Sequence, residues 1–261
     1  MISDDDRLAA DLAAEAGRRL LALRAAGGAA DELRRAGDRS SHEFLAAELA
    51  RQRPGDAVLS EEGADDLARL SADRVWIVDP LDGTREFGEP GRSDWAVHVA
   101  LWERGELTAG AVALPAQDKV LSTADPVKAP APPPPAVLAH GGATPPDPPG
   151  MLRLLVSRTR PPEFMTRLAR ELDAELVPMG SAGAKAAAVI CGDAEAYVHS
   201  GGQYEWDSAA PVAAAVASGL HASRIDGSKL SYNQAKPSLP DILICQAALA
   251  DPLLEAISSV R

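Results

Sequence analysis

Carboxylates gather at three places where an apolar run of this 261-residue chain ends. Residues 75–87 read VWIVDPLDGTREF, so four apolar residues lead into Asp79 and Asp82, with Pro80 between them and Gly83 and Thr84 after. AVLSEEG (57–63) ends a short apolar stretch on Glu61 and Glu62, and YEWD (204–207) puts Asp207 where a helix opens. Carboxylates at the tips of buried elements repel one another and lose hydration. A hard divalent cation would offset that cost, and oxygen-rich clusters of this kind suit Mg²⁺ above all. Gly83 lets the backbone approach a ligand closely. Thr84 offers a hydroxyl and a backbone N–H at a helix start, a place for a phosphate oxygen or an attacking water. Spacing alone leaves the convergence open. Asp79 and Asp82 also fit an Asx turn, Asp207 an N-cap, and Glu61 and Glu62 a solvated strand end.

The elements that would position these groups follow from periodicity and punctuation. Residues 3–25 read as a helix capped by Ser3, with Leu8, Leu12, Leu20 and Leu23 at helical spacing. Residues 40–52 read as a second helix, capped by Ser40 or Ser41. Strands are expected at 57–63 and 74–78, a hairpin at 94–114 around Arg104-Gly105, and a further strand at 119–124. Residues 126–149 hold ten of the chain's 21 prolines, which predicts an exposed, extended connection near a domain boundary. Beyond it strands (151–157, 175–179, 194–200, 241–245) alternate with helices (161–172, 181–191, 207–218, 246–258). The pattern is α/β in style.

Composition bounds the function. Hydrophobic residues make up 46% of the chain, enough for a substantial core. A net charge of −12 argues against a nucleic-acid polymer or an anionic membrane surface as partner. An acidic substrate would need metal ions or a local cluster of bases. The N-terminal residues lack the basic and apolar regions of a signal peptide, so a cytoplasmic setting is the default expectation. Cys191 and Cys245 sit in apolar company and read as buried free thiols.

The motifs resemble a known family. DPLDGTREF (79–87) is similar to the first signature of the inositol monophosphatase superfamily of Mg²⁺-dependent, lithium-sensitive phosphatases, WDSAA (206–210) to its second signature, and SEEG (60–63) to the glutamate motif that precedes them. All three occur in the family's order. The resemblance implies a layered αβαβα sandwich, with an N-terminal α+β part (1–135) carrying Glu61, Asp79 and Asp82, a C-terminal α/β part (136–261) carrying Asp207, and the active site between them. It also implies roles. Glu61, Asp79 and the Leu81 carbonyl would hold one Mg²⁺, Asp79, Asp82 and Asp207 a second, and a weaker third ion would lean on Glu61. Thr84 would orient the attacking water, and Gly83 and Thr84 would receive the phosphate. The assisting acid falls on Asp38 in AGDRSSHEF, where the motif is looser and where capping of helix 40–52 is a compatible second role. Family members are often homodimers, although no interface stripe is legible here.

Three features point to the substrate class. Arg85-Glu86-Phe87 resembles the version found in 3′(2′),5′-bisphosphate nucleotidases of the CysQ type. Inositol enzymes place a sugar-binding glutamate where this chain has Ser200. GSAGAK (180–185) resembles the nucleotidase pattern, with Lys185 as a contact for a second phosphate. Arg158 in VSRTR is a further candidate anion contact. Each of Arg85, Lys185 and Arg158 also fits a plain surface cation, and His98 and His199 read as packed or rim residues. The implied substrate is a small phosphate ester, 3′-phosphoadenosine 5′-phosphate, with its phosphosulfate relative as a second. Inositol 1-phosphate or fructose 1,6-bisphosphate hydrolysis, and a metal-binding regulatory protein without turnover, are the competing readings.

Overall fold

In the computed structural model, residues 2–128 and 151–261 are described. The connection expected at 126–149, from residue 129 on, and the expected boundary at 135/136 lie outside the described residues. Among the described residues, ten strands form two five-stranded sheets. The first has the order β1 (Ala57–Ser60), β2 (Arg74–Asp82), β3 (Ala96–Glu103), β4 (Glu106–Leu114), β5 (Lys119–Ser122), with β1 and β2 parallel and the rest antiparallel. The second has the order β7 (Ala174–Met179), β6 (Leu152–Ser157), β8 (Ala196–Tyr204), β10 (Ser238–Cys245), β9 (His221–Ser223).

Strand alternation assigns each sheet two faces, and the helices fill them. Trp76, Val78, Val97 and Val99 face helices α1 (Asp4–Ala26) and α2 (Ala30–Gln52), whose Leu8, Leu12, Leu45 and Leu49 complete one core. Val75, Ile77, Ala100 and Val112 point the other way, onto α5 (Ala182–Cys191) and α6 (Glu205–Ala217). Those two helices also meet Leu155, Tyr197, Ile242 and Ile244 of the second sheet. The far face of that sheet packs on α4 (Met165–Glu171) and α7 (Ala250–Val260) through Leu154, Val156, Val198 and Leu243. The layers therefore run α, β, α, β, α, as expected. A five-residue helix, α3 (Thr84–Gly88), follows β2 directly.

Several boundaries differ from the sequence reading for physical reasons. Helix α2 begins at Ala30, ten residues earlier than expected, so Asp38 lies inside it and caps nothing. Its polar first half and Gly37 hide the helical pattern. Gly37 is there because Leu81 and Phe87 press on that turn, where a Cβ would come within 2.9 Å of both. Ser41 is not a cap either; its hydroxyl donates to the Pro80 carbonyl at 2.7 Å. Strand β1 stops at Ser60, while β2 runs on through Asp82. Helix α6 starts at Glu205, which puts Asp207 in its first turn rather than at its cap. Pro161 and Pro162 precede α4 instead of opening it. The three-residue β9 was too short to announce itself. Cys245 is buried and inert, its thiol pushed up to about 12 by burial. Cys191 is only half-buried.

Helix α6 is shared between the two sheets and carries Asp207, so its seat on β4 matters. A Cβ added at Gly110 of β4 would come within 2.5 Å of the Ala213 Cβ on α6. Gly110→Val is expected to destabilise the fold by about 1–3 kcal/mol through overpacking. Urea unfolding should show a lower midpoint at an unchanged m-value.

Candidate active site

The order of residues around Asp79 and Asp82 acquires its reason in the β2–β3 pairing. Asp79 pairs with His98 and Asp82 with Ala96, so three steps on β2 face two on β3. In a regular strand, residues three apart point to opposite faces. The bulge absorbs the extra residue and turns both carboxylates toward one side. Pro80 has no N–H to lose from the ladder there, and the Leu81 N–H donates to Asp79 Oδ1 at 3.1 Å. Gly83 follows in the left-handed region (φ +84), and a Cβ there would meet Asp94 O and Trp95 Cα at 3.2 Å. Thr84 then opens α3.

One carboxylate oxygen each from Asp79, Asp82 and Asp207 lies within 4.8 Å of the others. Each of the three is also pinned by the protein. Asp82 Oδ2 accepts from Ser181 Oγ at 2.5 Å and from the Gly183 N–H at 2.7 Å, with His98 Nε2 at 3.2 Å. Asp207 Oδ2 accepts the Tyr204 N–H at 2.7 Å. Fixing one oxygen of each side chain holds the three carboxylates in place. Glu61 stands beside this group, against Asp79.

The crowding is visible in the acidities. Burial, with Glu61 and Asp82 beside it, pushes Asp79 well above the usual carboxylate range. Burial pushes Glu61 up to about 7, with Asp207 and Asp82 adding to it. Asp207 rises to about 6 through burial and the Asp82 charge. Asp82 goes the other way. Burial would raise it, but the charge and hydrogen bond of His98, with Lys185 behind, hold it below its ordinary value. His98 is fully buried, its Nδ1 3.0 Å from the Trp206 carbonyl, and Asp82 outweighs the burial that would lower its pKa. A cluster of oxygen donors that can ionise together only if positive charge is supplied fits a hard cation.

Thr84 Oγ1 lies 3.2 Å from Asp38 Oδ1 and 3.0 Å from the Leu81 carbonyl. The acid expected to assist Thr84 is thus beside it, 46 residues earlier in the chain. Burial, then the Glu62 charge, pushes Asp38 up to about 6.

Glu61, Asp79, Asp82, Thr84 and Asp207 open on a cleft of about 440 Å³ whose walls also include Gly83, Arg85, Arg158, Arg160, Lys185, Tyr197, His199 and Gln203, while Asp38 lies behind Thr84. Three of the sequence-predicted substrate contacts have surroundings in the structure that the sequence does not announce. Lys185 is only 4% exposed, and its ammonium donates to the Gly180 and Ser181 carbonyls at 2.8 and 2.6 Å. It is a structural cation, neither a surface lysine nor a reaching one, and burial lowers it to about 8. Arg158 is held by Glu86 at 2.6 Å and by Glu89 at 3.0 Å. Ser200 is not on this cleft. It lies in an adjoining hollow with Pro161, Gly201 and Gly202, and Arg160 lines both that hollow and the cleft. Arg85 is exposed on the cleft, as a substrate contact must be. The sequence does not single out Arg160, Tyr197 and Gln203, and His98 reads there as a packed or rim residue. A period-two run of polar groups inside the apolar strand AYVHSGGQY was the available signal.

Comparison with known proteins agrees with this geometry. The model of the inositol monophosphatase family matches residues 7–259. A 3′-phosphoadenosine 5′-phosphate phosphatase of Mycobacterium bovis is 54% identical, over 94% of this chain and 90% of its own. The 3′(2′),5′-bisphosphate nucleotidase CysQ of Salmonella typhimurium is 31% identical over 76% of this chain and 78% of its own. Among solved structures, CysQ from Bacteroides thetaiotaomicron superposes with a TM-score of 0.76 at 26% identity, over 93% of this chain and 97% of its own.

The raised acids make the metal-free fold sensitive to pH. A carboxyl whose folded pKa exceeds its unfolded value binds its proton more tightly when folded, so stability falls as pH rises between the two. Without metal, the melting temperature should fall as pH rises from about 4, the unfolded carboxyl range, through the values near 6 and 7 of Asp207 and Glu61. Added Mg²⁺ should reverse most of the fall at pH 8 and release protons, measured by calorimetry in two buffers of different ionisation enthalpy. A melting temperature that climbs over that range without metal would contradict the crowding.

Proposed function

The chain belongs to the inositol monophosphatase family, and we propose that it removes the 3′-phosphate of 3′-phosphoadenosine 5′-phosphate, giving AMP and inorganic phosphate. The observation that carries this is the relative bearing that activity in its name at 54% identity over 94% of the chain. The three converging aspartates at the head of the cleft supply a site for such chemistry. The phosphosulfate analogue, which presents the same 3′-phosphate, is a second substrate. The catalytic cleft sits between an N-terminal part (1–135) and a C-terminal part (136–261).

The metal would be Mg²⁺, two to three ions, with Glu61, Asp79 and the Leu81 carbonyl as one set of holding groups and Asp79, Asp82 and Asp207 as the other. When bound, it would supply acidity to the attacking water and positive charge to the phosphate and leaving 3′-oxygens. The protein's own groups do the remaining work. The rigid bulge keeps Asp79 and Asp82 facing one point, so little reorganisation is needed during reaction. Gly83 and Thr84 present backbone N–H groups to the phosphate. Thr84 accepts a proton from the water as its own passes to Asp38, whose value near 6 suits a base at neutral pH. Glu61 lines the cleft against Asp79 and would help to orient the attacking water. Arg85 meets the substrate's charge at the cleft mouth.

Phosphate release from 3′-phosphoadenosine 5′-phosphate, inositol 1-phosphate and fructose 1,6-bisphosphate at equal Mg²⁺ tests the substrate. The nucleotide should be the fastest, and EDTA and Li⁺ should each suppress its turnover. Faster hydrolysis of inositol 1-phosphate would overturn the substrate assignment, and no hydrolysis of any ester would favour a regulatory metal-binding role. Asp79→Asn should abolish turnover. Asp38→Asn should lower kcat by about 10²–10⁴ while KM for the nucleotide stays within a few-fold.

A further inference from the structure

A bisphosphate substrate brings a second anionic group, and two of the cations expected to receive it are committed elsewhere: Lys185 to backbone carbonyls, Arg158 to Glu86 and Glu89. Among the described residues, Arg85 and Arg160 are the arginines on the cleft that make no ion pair. Arg85 follows Thr84 on the acid-cluster side. Arg160 is exposed and lines the cleft together with Tyr197, His199 and Gln203 of β8, which form one wall with it. Its guanidinium lies over Gly202, whose backbone is in the left-handed region (φ +68) and where a Cβ would come within 2.8 Å of Arg160 Nη1. The Arg160 charge is felt by both Tyr197 and His199 on that wall.

The same wall holds polar atoms with nothing to bind. His199 is 3% exposed and Gln203 is 7% exposed. His199 Nε2 lies 2.7 Å from the Gly201 carbonyl, which can only accept, so Nε2 carries the proton. Burial holds the imidazole neutral, at about 4. His199 Nδ1 is therefore a bare acceptor, and it has no partner. Gln203 Nε2 donates to Tyr197 Oη at 2.7 Å, leaving Oε1 unpartnered. Burying an acceptor without a donor is costly, and a ligand that supplies the donor removes the cost.

We propose that this wall determines specificity: Arg160 receives the second phosphate, and His199 Nδ1, with Gln203 beside it, accepts a hydrogen bond from an O–H or N–H of the nucleoside. The assignment rests on the nucleotide reading above and places discrimination on Arg160, His199 and Gln203 rather than on Lys185, Arg158 or Ser200. A sugar hydroxyl and the exocyclic amine of adenine share the required donor chemistry. A base or sugar lacking the donor would leave the buried acceptors unpaired inside the complex, which is how such a site rejects an analogue.

Four substrates decide it: 3′-phosphoadenosine 5′-phosphate, adenosine 3′-phosphate without the second phosphate, the 2′-deoxy bisphosphate, and the bisphosphate carrying hypoxanthine in place of adenine. Arg160→Ala should lower kcat/KM for the full substrate by about 10- to 100-fold, through KM, and leave adenosine 3′-phosphate within about two-fold. Gly202→Ala, which displaces the guanidinium without removing it, should show the same selective loss. The wild type should disfavour one of the two bisphosphate analogues by about 10-fold or more, and His199→Leu should erase that preference. The analogue affected identifies the donor as sugar hydroxyl or base amine. Equal losses on both adenosine substrates in Arg160→Ala, or a wild type that treats all three bisphosphates alike, would overturn the assignment while leaving the nucleotide reading intact. A wild type that hydrolyses inositol 1-phosphate and none of the nucleotides would overturn that reading, and this one with it.

Discussion

Everything near the cleft answers to one constraint: three aspartates must point at the same small volume without metal-free repulsion unfolding the protein. The β2–β3 bulge turns Asp79 and Asp82 to one side. Asp207 arrives from another element and is locked by its bond to the Tyr204 N–H. Counter-charge comes from behind. His98 faces Asp82 and at the same time touches the Trp206 carbonyl, next to Asp207. One buried imidazole thus ties the strand that carries Asp79 and Asp82 to the helix that carries Asp207. The fit is tight, since a Cβ at Gly183 would come within 2.1 Å of His98 Nε2.

Cations elsewhere serve the same end, and this explains why so few remain for substrate. Lys185 satisfies the Gly180 and Ser181 carbonyls just before α5, whose Ser181 hydroxyl and Gly183 N–H hold Asp82. Arg69, 1% exposed, binds Asp65, Asn233 and the Gln234 carbonyl, while Glu205 accepts the Asn233 and Gln234 N–H groups. That network joins the segment after Glu61 to the first turn of α6. Buried charges of this kind are costly to leave unpaired, so the chain spends its internal arginines and lysine on positioning. A molecule with a net charge of −12 then meets an anionic substrate with a few selected groups at the cleft.

How much of this was legible in the sequence depends on the range of the interaction involved. Helix α1 was readable because Ser3 caps it within its own first turn, accepting from the Asp6 N–H at 3.1 Å. The β3–β4 hairpin was readable because Arg104-Gly105 and strict alternation are local. Helix α2 was misjudged by ten residues because its Gly37 answers to Leu81 and Phe87, more than 40 positions away. The partners of Lys185 and Arg158 were not legible for a related reason. A cation's sequence neighbours do not tell whether carbonyls or glutamates have already claimed it.

By itself the sequence determined the chemistry: oxygen donors at Glu61, Asp79, Asp82 and Asp207, Thr84 at a helix start, and the motifs that place the chain in its family, because residue identity and short spacing are written in the chain. Only the tertiary structure decided which of those groups meet. The bulge that reverses one carboxylate, the pairing of Asp38 with Thr84, the His98 contact between Asp82 and Trp206, and the unpaired acceptors of His199 and Gln203 all depend on distances between residues far apart in sequence. Such distances are set by how the layers pack, and a linear pattern does not contain them.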